Sequence, residues 1–99
     1  MTEKDFLDYK IKIVKIIEIF FPQAKVYLFG SRARGDYNVS SDFDIAIDIG
    51  HSIPLREHAK IIGMIDVLNI AQKVDVVDFH AIPNEMQENI LKEGILWKK

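Results

Sequence analysis

Ninety-nine residues make one small domain spanning 1–99, which buries roughly 60–65% of its unfolded surface. The 48% hydrophobic content supplies a core and argues against disorder, and a net charge of −2 weakens a reading as a general nucleic-acid binder, which would normally show a basic face. There is no cysteine, no apolar run near the ~18 residues of a membrane span, and no signal peptide in the polar, acid-bearing segment Met1–Asp8; disulfides and thiolate metal sites are excluded, and a soluble cytoplasmic protein is expected.

Thr2 and Asp5 resemble a capping box for a first helix, in which Phe6, Ile13, Ile16, Ile17 and Phe20 recur at helical spacing with Lys10, Lys12 and Lys15 interleaved. Pro22 ends it. Val26-Tyr27-Leu28-Phe29 is a β-prone run closed by Gly30, residues 31–35 can start a short helix, and Gly35 to Asn38 reads as a turn. Phe43 to Ile49 alternates strictly and predicts a strand that Gly50 to Ser52 breaks. Pro54 suits the first turn of a second long helix, whose apolar side is Ile61, Ile62, Ile65, Leu68 and Ala71. Val74 to Phe79 is another strand. Asn84 caps a last helix carrying Met86, Ile90 and Leu91, which Gly94 ends before Ile95-Leu96-Trp97. The order α-β-(α)-β-α-β-α implies a layered α/β or α+β domain with a small sheet.

The chemistry concentrates in a few positions. A glycine at a strand end, Gly30, lets backbone approach a ligand with no Cβ in the way. A helix starting at Ser31 turns its free N–H groups and the hydroxyl toward an anion such as a triphosphate, although an ordinary strand-to-helix turn would look the same. Asp42 and Asp44 stand at i and i+2, on one side of a strand and roughly 6.6 Å apart along it. Unpaired, they repel and raise each other's pKa. A hard divalent cation removes that problem, and oxygen ligands suit Mg²⁺. Two metals ~3.5–4 Å apart are the known device for in-line displacement at phosphorus.

A solvated strand face is the plain alternative for the pair. Against it, Phe43, Ile45, Ile47 and Ile49 put the other side in the core, and acids form strands poorly. Asp75 lies between Val74 and Val76, where a carboxylate is costly without a partner. It is the third candidate. Asp78 falls on the opposite face, at a strand end meeting water, and Asp48 reads as strand-end polarity on the side of Asp42 and Asp44. Arg32 and Arg34 flank Ala33, and a guanidinium meets phosphate oxygens bidentately; Arg32 is favoured for its closeness to Ser31. His51, His58 and His80 are not spaced as a metal cluster, with His80 the nearest to an acceptor side, and Tyr27 and Trp97 read as packing residues.

Together these segments resemble the nucleotidyltransferase superfamily related to DNA polymerase β: Gly-Ser, a spacer, Asp-x-Asp and a later acid, here Gly30-Ser31, Asp42-Phe43-Asp44 and Asp75. The longer form Gly30-Ser31-Arg32-Ala33-Arg34-Gly35 with Ser41-Asp42-Phe43-Asp44 is similar to the minimal (MNT-type) nucleotidyltransferases, and the likeness runs through the Val74–Asp78 strand to Glu93-Gly94-Ile95-Leu96. The resemblance implies a polymerase β palm-like fold, a small mixed sheet with helices on one side. It implies two Mg²⁺ ions on Asp42 and Asp44, with Asp75 completing one metal site and helping to deprotonate the attacking hydroxyl. Gly30 and Ser31 would bind the β,γ-phosphates of a nucleoside triphosphate, with ATP the family's usual donor. The product would be a transferred nucleoside monophosphate, with pyrophosphate released.

The chain is too short for the second domain with which larger relatives close over substrate, so the acceptor side is expected on another molecule. Proteins of this look commonly pair with an all-helical HEPN toxin, act as its antitoxin and adenylylate one of its tyrosines. Two other readings share the same residues: an antitoxin that neutralises its partner by docking without catalysis, and a transferase acting on a small molecule such as an antibiotic. The base, the acceptor and any homo-oligomer are left open by the residues themselves.

Overall fold

The helical periodicity of the first segment becomes α1, Glu3–Phe20, in the computed structural model, which describes residues 3–38 and 40–99. Glu3 and Asp5 occupy its first turn, where acids complement the helix dipole, and Ile13, Ile16 and Ile17 form its buried stripe. Thr2, the expected cap, lies outside the described residues. Then follow β1 (Lys25–Phe29), the single turn α2 (Ser31–Arg34), β2 (Phe43–Asp48), α3 (Leu55–Asp66), β3 (Val74–Asp78), a 3₁₀ turn at Phe79–Ala81, α4 (Asn84–Glu93) and β4 (Ile95–Lys98).

The four strands form one mixed sheet in the order β3-β2-β1-β4. β1 pairs antiparallel with β2 and β4, whereas β2 and β3 run parallel because α3 carries the chain back between them. Alternation along the strands gives the sheet two different faces. One receives Val26, Leu28, Phe43, Ile45, Ile47, Val76 and Trp97, and α1 and α3 close over it with Ile13, Ile17, Ile61 and Ile65. Phe6 and Tyr9 of α1 meet the Phe43 ring at 5.8 and 6.1 Å between centroids, which fixes the helix across β2.

The other face was expected to be bare of helices. Instead α4 covers part of it: Ile90 packs with Tyr27, Ala46 and Phe79 in a second, smaller core. Ala46, between Asp44 and Asp48 on β2, is the residue that turns this face from polar to apolar at its centre. The fourth strand is a further addition to the expected order. Of its residues only Trp97 is buried, and Ile95 and Leu96 stay exposed, so it carries little periodic signal. Gly94 lets the chain pass from α4 into this strand. A Cβ there would run into the carbonyl oxygen of Ile90 and lie 3.3 Å from that of Leu28.

α3 is shorter than its apolar pattern suggests: Ile61 and Ile65 are buried, Ile62 is exposed, and Leu68 and Ala71 lie past its end. Among the described residues, no helix is long and apolar enough to cross a membrane.

Candidate active site

Three strand ends and one tight turn meet at one edge of the α4-side face. Asp44 is flanked in register by Asp75 on β3 and by Phe29 on β1, so the three side chains share that face in a row. Asp42 enters two positions earlier, just before β2. β1 then ends at Gly30, whose φ of 77° and ψ of −155° belong to a region open in practice to glycine alone. A Cβ at Gly30 would run into Asp44 Oδ2, so the glycine is required twice, for its conformation and for the space the carboxylate takes. Ser31 starts α2, with Ala33 N and Arg34 N both donating to Gly30 O at 3.1 Å, and the first N–H groups of such a turn have no acceptor within the helix.

The carboxylates feel one another. Burial pushes the Asp44 carboxyl above its ordinary value, and the negative charges of Asp75 and then Asp42 push it further, with Arg34 and Lys73 acting in the opposite sense. Asp42 and Asp75 are themselves exposed. Lys73 was not among the expected site residues. Its carbonyl accepts from Phe43 N at 2.9 Å, which ties the chain before β3 to the Asp42–Asp44 segment.

The two arginines divide their roles differently from expectation. Arg32, favoured from the sequence as the phosphate contact, is only 5% exposed. Its Nε and Nη2 donate to Ser41 O at 3.1 and 3.0 Å, and its guanidinium lies 4.1 Å from the Phe43 ring centre and 4.9 Å from that of Tyr37. It therefore holds the Ser41–Asp42 turn in place and faces the protein interior. Arg34, at i+2 on a short helical turn, points to a different side. It is exposed, holds Asp36 Oδ2 at a loose 3.4 Å, and acts electrostatically on Asp44. The turn before Asp42 is closed on itself by Asn38, whose Oδ1 accepts from Ser40 N at 2.9 Å while Asn38 N donates to Ser41 Oγ at 3.0 Å.

The remaining polar candidates fall away from this cluster. Asp78 does not meet water: it is 6% exposed and accepts from Ile53 N at 2.7 Å and His80 N at 3.0 Å, pinning the chain before α3 to the end of β3. Asp48 accepts from His80 Nε2 at 2.6 Å and from Gly50 N at 2.8 Å. His51 and His58 bond the backbone carbonyls of Ser52 and Val76.

Among the described residues, no three acidic or histidine side chains come together as a group that could hold a metal ion by themselves. The donor set nonetheless fits Mg²⁺. It is all hard oxygen, it is crowded with like charge, and Mg²⁺ characteristically takes one or two carboxylates and completes its shell with water and substrate phosphates.

Comparison with known proteins bears on the family and the fold. The sequence model of the family described as polymerase beta, nucleotidyltransferase, matches residues 11–98. No curated protein matches the chain significantly. Among solved structures, a toxin–antitoxin with AMP-PNP superposes with a TM-score of 0.73 at 23% identity, over 90% of this chain and 72% of that one. The tri-AMPylated HEPN toxin of Shewanella oneidensis in complex with MNT antitoxin gives 0.68 at 21%, over 91% and 69%. A provisionally assigned minimal nucleotidyltransferase gives 0.66 at 24%, over 87% and 89%. At these identities the likeness establishes a common fold.

Proposed function

The chain belongs to the polymerase beta nucleotidyltransferase family, and we propose that it transfers AMP from ATP to a hydroxyl with release of pyrophosphate, as the antitoxin of a HEPN toxin whose tyrosine is the acceptor. The observation that carries the reading is the row of Asp75 and Asp44 on one face of the sheet, with Asp42 and Gly30 against Asp44. Among the described residues, Asp42, Asp44 and Asp75 form no ion pair. The AMP-PNP and AMPylated-toxin complexes among the structural neighbours support ATP as donor and a protein as acceptor.

Asp42, Asp44 and Asp75 would hold Mg²⁺, which when bound supplies charge neutralisation at the reacting phosphate. The chain's own groups do the rest. The open turn at Gly30-Ser31 receives the β,γ-phosphates on backbone N–H groups and the Ser31 hydroxyl, and exposed Arg34 adds a guanidinium beside them. Buried Arg32 keeps Asp42 in position through Ser41 O. Asp75 takes the proton from the attacking hydroxyl. The acceptor oxygen bonds to the α-phosphorus, the bond from that phosphorus to the α,β-bridging oxygen breaks, and pyrophosphate leaves. Positioning and charge stabilisation supply most of the acceleration in such a step. The protein would work in the cytoplasm, where ATP and a toxin of translated origin are both at hand.

The test is incubation with α-labelled ATP, Mg²⁺ and the product of the neighbouring gene. Label is expected on that protein, at a tyrosine by mass spectrometry. Absence of any labelled product, with all four triphosphates and Mn²⁺ also tried, overturns the reading.

A further inference from the structure

α4 presents Met86, Asn89, Ile90 and Glu93 at i, i+3, i+4 and i+7, a single stripe along the helix. That stripe forms one wall of a cleft of about 200 Å³, and Phe29 and Gly30 form the other. Ile90 is the buried floor, Met86 a half-open rim, and Asn89 and Glu93 are exposed at the lip. The cleft is continuous with the acids, because Gly30 lines it while sitting against the Asp44 carboxylate, and Phe29 lies opposite Asp44 in register.

We infer that this cleft seats the heterocyclic base of the nucleotide and that Glu93 and Asn89 read its edge. The inference rests on the nucleotidyl-transfer reading of the acid cluster. Sheet order assigns the cleft to the donor. Asp75 on β3 and the cleft beside β1 lie on opposite sides of Asp44, so an acceptor hydroxyl that reaches Asp75 arrives from the β3 side and leaves the β1 side to a ligand anchored at Gly30. Arg34 also lines the cleft, so a phosphate chain held there leads into it. The volume is below the ~300–1,000 Å³ that encloses a whole drug-sized ligand, and suits one flat ring between apolar walls. A phosphate in the cleft itself would face the Glu93 carboxylate; a neutral ring does not. Glu93 only accepts hydrogen bonds, whereas the Asn89 amide both donates and accepts. With Glu93 facing position 6 of a purine and Asn89 facing N1, a six-amino group satisfies Glu93, while a six-oxo group sets two acceptors against each other and the Asn89 amide serves N1 in either base. The cleft therefore selects adenine over hypoxanthine.

The experiment titrates the full-length chain with ATP and with ITP, in competition with ribose-labelled fluorescent ATP. Wild type is expected to favour ATP by about tenfold or more. Glu93→Gln should bring the two within about threefold, since an amide can turn its NH₂ toward the carbonyl. Asn89→Ala should weaken both nucleotides. Both positions are exposed, and circular dichroism melts check that the variants fold. An unchanged ATP-to-ITP ratio in Glu93→Gln, with wild type binding ATP, overturns the base cleft and leaves the transfer reading standing. Wild-type protein that binds neither triphosphate overturns both.

Discussion

Asp44 and Asp48 stand on the same face of the same strand, at its two ends, in opposite surroundings. Asp48 is paired: the His80 ring and the Gly50 N–H both donate to it. Asp44 is set beside Asp75 and Asp42, against a glycine with no side chain to soften the contact, and its carboxyl is pushed up by burial and by both neighbours. One sheet thus satisfies a strand-end aspartate with ordinary hydrogen bonds and, among the described residues, leaves the other without them. The difference teaches where to look for function, because a fold that can satisfy an acid locally and does not has left room for a ligand to do so.

The comparison breaks first on catalysis. Asp44→Asn should lower the rate of AMP transfer by on the order of a thousandfold or more, since it removes a metal-holding charge from the reacting centre. Asp48→Asn should change it by less than about threefold, within what a surface pair commonly contributes. Equal losses in a single-turnover assay would show that the two ends of β2 are not functionally distinct. Gly30→Ala comes next. The added methyl meets Asp44 Oδ2 in a backbone conformation that alanine rarely adopts. A transfer loss on the order of a hundredfold from the displaced carboxylate and about 1–3 kcal/mol of destabilisation are expected, measured by rate and by urea unfolding. Asp78 extends the contrast to an acid whose work is structural. Asp78→Ala leaves the Ile53 and His80 N–H groups without their acceptor, so about 1–3 kcal/mol of stability should go while the folded fraction keeps its rate. A rate loss exceeding the folded-fraction loss would instead place Asp78 in the reaction.

How much of this the sequence carried depends on the range of each signal. The strand alternation at Phe43–Ile49, the glycine at the end of β1 and the i, i+2 spacing of Asp42 and Asp44 are local patterns, and each marks an element or a strand end of the structure, whereas Asp75 reaches Asp44 only through the parallel pairing of β2 and β3. Arg32 shows where local reading stops. Its closeness to Ser31 suggested a phosphate contact, but its direction is set by the Phe43 ring and Ser41 O, partners reached only after the chain has turned back. Asp78 is similar, because half of its hydrogen bonding comes from Ile53, before α3. The helix on the second face hinged on one small residue, Ala46, inside a strand whose alternate positions otherwise read as polar. Lys73 entered the site through its backbone bond to Phe43, for which no side-chain pattern exists.

The smallest effect is the most direct test of the opening contrast, because it needs no substrate. A carboxyl whose pKa is raised in the folded state binds its proton more tightly there than in the unfolded chain, so stability falls as pH rises through the interval between the two values. Above that interval the ionised Asp44 is a standing cost to the metal-free fold, and below it the cost is gone. Asp44→Asn, with chelator present, should therefore melt a few degrees higher than wild type at pH 7. At about pH 3, beneath the ordinary aspartate value of ~3.9, the gain should vanish because wild-type Asp44 is protonated too. Asp48→Asn should move the other way at pH 7, melting slightly lower, because it weakens a bond to His80 and relieves no repulsion. If both variants melt lower than wild type at pH 7, Asp44 is held by the fold as Asp48 is, and the acid row is structural. If only Asp44→Asn melts higher, the fold carries a charge it does not need for itself, and adding Mg²⁺ should then favour wild type over the variant and narrow or reverse the gap.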